Sequence, residues 1–181
     1  MTHPTTPTAA HDAPGEPDRP TLISRSAAGP ALDAATLYAL LALRVDVFIV
    51  EQQAIDPELD HRDLDPPVTH VWAEVAGRAV AEGAASPIAG TDRGVVAGAR
   101  LRVEPGSPAS LERVVVHPAW RGRGVGSQVV ERALALTDGP VVCKAQEHLV
   151  GWYARFGFAA DGATFLWAHI PHVPLRRAGR R

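Results

Sequence analysis

The chain has 181 residues, 46% hydrophobic and 21% charged, with a formal net charge of −2 at pH 7. These values suit one globular domain and exclude a wholly disordered, collagenous or coiled-coil chain. No apolar run approaches the roughly 20 residues of a membrane-spanning helix, and the near-neutral charge provides no global field toward nucleic acid or membrane.

Cys143 is the only cysteine, so an intramolecular disulfide framework is excluded. The first residues, MTHPTTPTAAHDAPGEPDRP, lack the basic start and apolar core of a secretory signal, and the expected location is the cytoplasm. With five prolines and no large apolar residue after Met1, residues 1–20 are expected to be disordered. Residues 21–175 are expected to form a single domain, followed by a loose basic tail, residues 176–181. Lys144 is the only lysine among the 18 basic residues.

Thr21–Arg25 reads as a short strand. Asp33 offers an N-cap to a helix running to about Val50, with Leu37, Leu40, Leu41, Val45 and Phe48 at helical spacing. Residues 56–67 form a loop carrying Asp56, Glu58, Asp60, Asp63 and Asp65. Such a run either attracts a cationic amine or is a solvated face. Strands are expected at Val71–Ala76 and Val95–Val103, with an irregular excursion between them, and at Leu111–Val116 after a turn at Pro105–Pro108. A helix over Gly124–Leu136, a strand at Val141–Lys144 and a helix over Glu147–Phe156 follow. Phe158–Ala160 and Thr164–Ile170 close the chain as strands. The alternation predicts an α/β domain with a mixed sheet.

The most informative stretch runs from the strand Leu111–Val116 through Arg121, Gly122, Arg123, Gly124, Val125, Gly126 and Ser127 into a helix. Glycines let the backbone turn tightly, and the amides at a helix start favour an anion. No Gly-Lys-Ser/Thr follows, so this is not a Walker loop, and the spacing departs from the GxGxxG dinucleotide fingerprint. His169 and His172 lack a third ligand, so no metal is expected. Cys143 reads as a small buried hydrophobe.

Arg121-x-x-Gly124-x-Gly126 after a valine-rich strand resembles the acyl-CoA signature of the GNAT acetyltransferase superfamily. Residues 141–158, ending in Tyr153-x-x-x-Gly157-Phe158, resemble that superfamily's later strand–helix motif. Residues 37–52, the loop LDHRDLDPP, His70, Ala99–Leu101, the stretch from Ala145 to Tyr153, and Ile170-Pro171-His172 are similar to the ElaA-like branch. The resemblance covers about Leu37 to Leu175. The stretch between the second and third strands is longer than that family's pattern.

The resemblance implies a mixed, mostly antiparallel sheet flanked by helices and split by a V-shaped slot for acetyl-CoA. It implies that main-chain groups of Val114, Val115 and Val116 take the pantetheine arm. It puts the pyrophosphate on the turn from Arg121 to Ser127 and a polar contact at Gln146. Tyr153 matches the general-acid tyrosine that protonates the leaving thiolate. Glu112 shares the parity of Val114 and Val116 and is a candidate base; Glu51, at the end of the first helix, is its rival. The implied function is N-acetyl transfer to a small-molecule or peptide amine, with a homodimer open as a further partner. Two alternatives remain: an acyl-CoA-binding sensor of the same fold without turnover, and a nucleic-acid-binding protein using its arginines. The near-neutral charge and lack of interleaved aromatics argue against the last.

Overall fold

The computed structural model describes residues 21–180. The tail expected over residues 1–20 lies outside them. Among the described residues nine strands form one sheet: β1 (Ile23–Ala28), β2 (Val68–Ala76), β3 (Ser86–Pro87), β4 (Arg93–Arg102), β5 (Ala109–Val116), β6 (Val141–Gln146), β7 (Phe158–Ala160), β8 (Phe165–Trp167) and β9 (Ile170–Arg177). The sheet order is β1-β2-β4-β5-β6-β9-β7, with β3 added to β4 and β8 to β9. Every pair is antiparallel except β5–β6. That pair is in register only at Ala109–Val141 and Ser110–Val142. Beyond Ser110 the two strands part.

Alternation along β2 shows how the layers form. Val71, Ala73 and Val75 join the core beneath α3 (Val125–Leu134), with Val125, Val129, Val130 and Ala133 fully buried there. Trp72 faces the opposite layer and packs with Leu40, Leu43, Val47, Val95 and Val115 beneath α1 (Ala34–Arg44). This is the period-two burial of a strand covered on both faces.

Asp33 caps α1 as expected, accepting from the Thr36 amide at 2.9 Å. The helix does not continue regularly to Val50. After Arg44 it widens into a π-helical turn, Val45–Glu51, which places Glu51 and Gln52 at its end. The excursion after β2 contains a short helix, α2 (Arg78–Ala81), and β3. The last helix is a 3-10 turn, Glu147–Leu149, leading into α4 (Val150–Ala154).

The C-terminal region departs most from expectation. Instead of one closing strand over Thr164–Ile170, β8 turns at Ala168 and His169, both in the left-handed region (φ 42° and 62°), into the long strand β9. The basic end expected to be loose from Arg176 is strand through Arg177. Arg176 pairs with Asp161 at 2.8 Å, and the Arg180 amide donates to the Asp138 carbonyl at 2.8 Å.

The acidic loop is tied down by arginines from the strands and α1. Arg44 binds Glu58 and donates to Asp63 at 2.5 Å. Arg100, 2% exposed, donates to Asp60 at 2.5 and 2.7 Å, to Asp63 at 3.2 Å and to Glu112 at 2.7 and 3.1 Å. Arg113 lies 3.2 Å from Glu58 and 3.5 Å from Asp60. Of the two readings of this loop, the structure favours neither a cation trap nor a solvated face for these three acids: their charge is neutralised inside the protein.

Hydrogen bonds from Arg100 hold the Asp60 carboxyl well below the usual range, while burial lowers the pKa of His70, whose Nε2 lies 2.8 Å from the Asp63 carbonyl.

Arg100→Met leaves three carboxylates around a neutral side chain. It is expected to cost about 3–5 kcal/mol in urea unfolding, as for a broken buried ion pair. A second expectation concerns pH. Folded His70 resists a proton that the unfolded chain takes up below about pH 6.5, so stability falls as pH drops through that value. Urea midpoints at pH 7.5 and 5.5 should differ in the wild type and differ less in His70→Gln, with burial of His117 keeping part of the dependence.

Candidate active site

Where β5 and β6 part, an open groove of about 1560 Å³ forms. Pockets for one drug-sized ligand hold roughly 300–1,000 Å³, so this groove has room for a long ligand or for two. On the β5 wall, Val114 and Val116 line it. Val115 points the other way, into the core beneath α1, and its main chain faces Gly98 of β4, in the same sense as His117, whose amide donates to Val96; the expected pantetheine contact at Val115 is therefore not on the groove side. Past Ser110 no other described strand pairs with β5 on this side, so its backbone edge is free.

A 3-10 turn, Pro118–Trp120, carries the chain from β5 toward α3. Gly122 and Gly124 have φ of 73° and 78°, a backbone that costs most other residues about 1–2 kcal/mol. The Gln128 amide donates to the Gly124 carbonyl at 3.2 Å. The amides of Val125, Gly126 and Ser127 precede that bond and have no acceptor one helical turn back. At Gly126 a Cβ would stand 3.0 Å from Val116 Cγ2 and 3.6 Å from the Trp152 ring. Glycine there lets the start of α3 approach both walls. Gly122, Gly124, Val125, Gly126 and Ser127 all line the groove, the arrangement of an anion cradle.

On the β6 wall stand Cys143, Gln146, Leu149, Trp152 and Tyr153. Tyr153 is 5% exposed and is held edge-on by Trp152 and Phe158, with ring centroids 4.8 and 5.7 Å away. Burial, then neighbouring Cys143, pushes its phenol upward, so it keeps its proton at neutral pH. Burial pushes the Cys143 thiol up to about 12.

The polar residues predicted for the site are more engaged than the sequence suggested. Glu112 lines the groove but is not a free base. One oxygen accepts from Arg100, and the other from Arg102 at 3.2 Å. Burial alone would raise its pKa; bonds from Arg100 and Ser110 and the charges of both arginines outweigh it, and the net shift is downward. Glu51 forms a bidentate pair with Arg121 at 2.6 and 2.7 Å, and that bond lowers its pKa. Gln146 donates to Gln52 Oε1 at 2.9 Å. Arg123 lies outside the groove lining, its guanidinium 5.2 Å from the Trp120 ring centroid.

Sequence reasoning gave no role to Arg100, Arg102 or Gln52, nor to the cluster at the β8–β9 hairpin. There Lys144 Nζ lies 5.0 Å from the Trp167 ring centroid, and the Trp167 indole donates to Asp56 at 2.6 Å. A lone arginine inside the apolar run Val95–Leu101 was the readable sign that Arg100 needs buried acids.

A family model described as an acetyltransferase (GNAT) domain matches residues 60–178. The chain belongs to the GNAT acetyltransferase family. The UPF0039 protein Rv2851c of Mycobacterium tuberculosis is 38% identical over 152 residues, covering 82% of this chain and 88% of its own. Protein ElaA of Escherichia coli is 31% identical over 153 residues, covering 81% and 90%. Among solved structures, an acyl-CoA N-acyltransferase from Pseudomonas aeruginosa matches with a TM-score of 0.73 at 34% identity, covering 87% of this chain and 100% of that one. The crystal structure of E. coli ElaA matches with a TM-score of 0.72 at 28% identity, covering 87% and 99%. The GNAT fold and the ElaA-like resemblance are thereby established, and with them an acyltransferase family that uses acyl-CoA donors. The free β5 edge and the amides at the start of α3 fit such a donor: an extended amide-bearing arm ending in a pyrophosphate.

Gly124→Val imposes a side chain on a left-handed residue at the helix start. It should abolish acyl-CoA binding in calorimetry; unchanged affinity would place the anion site elsewhere.

Proposed function

We propose that the protein is a cytoplasmic N-acetyltransferase that moves the acetyl group of acetyl-CoA directly onto a primary amine of a small-molecule or peptide acceptor. One observation carries this reading: an unpaired strand edge runs into a helix-start anion cradle, with a protonated phenol on the facing wall of the same groove.

In this reading the amides from Gly122 to Ser127 hold the pyrophosphate, with Arg121 beside them. The main chain of Val114 and Val116 pairs with the pantetheine arm as an added strand would. An amide of the β5 edge farther from the cradle donates to the thioester oxygen as charge develops there. Tyr153 gives its proton to the departing sulfur, and its raised pKa keeps it in the donating form across the working pH range. Cys143 supports direct transfer over an acyl-enzyme: a thiol pushed up to about 12 is scarcely ionised at neutral pH. Glu112 acts as a positioning residue, holding Arg100 and Arg102 on the wall, instead of taking the amine's proton.

Thiol release from acetyl-CoA across a panel of primary amines tests the reading. Acetyl-CoA binding with no thiol release on any amine would replace it with a binding role. With a substrate whose chemistry limits the rate, Tyr153→Phe should lower kcat by about 10²–10⁴. Its acetyl-CoA affinity and melting temperature should stay near wild type, because ring and packing are retained. Wild-type turnover in that variant would remove Tyr153 from the mechanism.

A further inference from the structure

Two consecutive residues at the end of the π-helical turn reach both walls of the groove. Glu51 holds Arg121, at the threshold of the glycine turn on the β5–α3 side, and Gln52 accepts from Gln146 at the end of β6. Arg121 is the residue immediately before Gly122, where the anion cradle begins. Its side chain is 44% exposed and that of Glu51 40%, so the pair sits at the open mouth, where it adds little to stability. Among the described residues, Arg121 is the only ion-pair partner of Glu51.

We propose that Arg121 exchanges Glu51 for the pyrophosphate of the incoming donor, and that the carboxylate so released becomes the group that takes the acceptor amine's proton. The proposal rests on the acyl-CoA reading of the groove.

Three physical points carry it. A guanidinium that offers its terminal nitrogens to a carboxylate offers the same bidentate face to a phosphate. The pyrophosphate has the helix-start amides as well, which Glu51 lacks, so it wins the competition for Arg121. Two anions at one guanidinium repel, so Glu51 must turn away. Its neighbour in the chain, Gln52, is already engaged by Gln146. Freed from Arg121, Glu51 loses the hydrogen bond that depresses its pKa. Glu112 has no such release: Arg100 is 2% exposed and bound to three carboxylates, out of reach of a donor's phosphates.

The transfer step balances. The neutral amine's lone pair forms the C–N bond at the thioester carbon. The nitrogen's proton passes to Glu51, the C–S bond breaks, and the sulfur takes the Tyr153 proton. The proton on Glu51 returns to the Tyr153 phenolate through solvent, leaving amide and free CoA thiol. The base is thus exposed only after the donor is seated, which orders binding as donor before acceptor.

The test is a thermodynamic cycle on the full chain, with CoA as the probe in calorimetry. Removing a competitor should strengthen binding: Glu51→Gln is expected to tighten CoA by roughly two- to fivefold, the worth of one exposed pair. Arg121→Gln should weaken it, and in an Arg121→Gln background the Glu51→Gln gain should vanish. A Glu51 that merely braced the loop would loosen CoA when replaced. Equal or weaker CoA binding in Glu51→Gln overturns the exchange. Absence of CoA binding in the wild type would instead overturn the acyl-CoA reading itself. With the best amine from the thiol-release panel, Glu51→Gln should lose at least about 10² in kcat despite its tighter donor binding. Unchanged kcat would overturn the proton-accepting role.

Discussion

The molecule depends on a pairing that stops early. β5 and β6 are parallel neighbours in a continuous sheet, yet they share only two register pairs before diverging. Each is held on its other side by a long antiparallel ladder, β5 by β4 and β6 by β9. The ladders draw the two strands to opposite sides of the gap, and the β4–β5 ladder shifts register between Gly98 and Arg100 beside it. An unpaired strand edge is normally a hazard that proteins blunt with charge, proline or a covering element. Here the edge lies along an open groove of about 1560 Å³, with Val114 and Val116 on one side and Gln146, Trp152 and Tyr153 on the other, which has room for an extended, amide-bearing chain.

A second constraint governs what lies beside the gap. The acids near it are numerous, but the structure divides them by the depth of their partners. Asp60, Asp63 and Glu112 converge on Arg100 inside the protein; Glu51 meets Arg121 at the mouth. Only an exposed pair can change partners at modest cost, because a buried carboxylate stripped of its arginine keeps its desolvation penalty. Burial thus separates acids that hold the wall from one that a ligand can mobilise.

The glycine turn and the Tyr153 motif were legible because their signal is local. Gly122 and Gly124 occupy left-handed positions, and Gly126 sits where a side chain would collide with Val116. The partners of the acidic loop were not legible. Arg44 precedes Asp63 by 19 residues and Arg100 follows it by 37, and no sequence spacing links groups joined only by the sheet. β9 was missed for a different reason. Pro171 and Pro174 argue against a strand flanked on both sides, since proline cannot donate to a ladder. The Pro174 carbonyl accepts from the Asp161 amide at 2.8 Å, so the residue directs its backbone polar groups away from β6. In a strand the N and O of one residue point the same way. The missing donor therefore falls on the side where β7, pairing at Leu175–Arg177, and β8, pairing at Ile170–His172, leave a gap. Proline costs the β6 ladder nothing there.

Arginine's dominance over lysine also acquires a structural meaning at one position. A chain-wide preference for arginine does not by itself explain what position 100 requires. Three carboxylates approach Arg100 from two directions: Asp60 and Asp63 from the loop, and Glu112 from the neighbouring strand. Nε, Nη1 and Nη2 each serve at least one of them, and Nη1 and Nη2 both reach Asp60 while also serving Asp63 and Glu112 respectively. A lysine ammonium has the same charge and three donors, but they radiate from one atom, and it is more strongly hydrated. It could not span acids that a planar guanidinium reaches from separate nitrogens, and burying it would cost more. The loop carrying Asp60 is fastened to β4 by the shape of this group as much as by its charge. That loop also carries Asp56, which holds the Trp167 indole at the β8–β9 hairpin. Through Arg100, the geometry of one buried side chain in the sheet thus reaches the far wall of the groove.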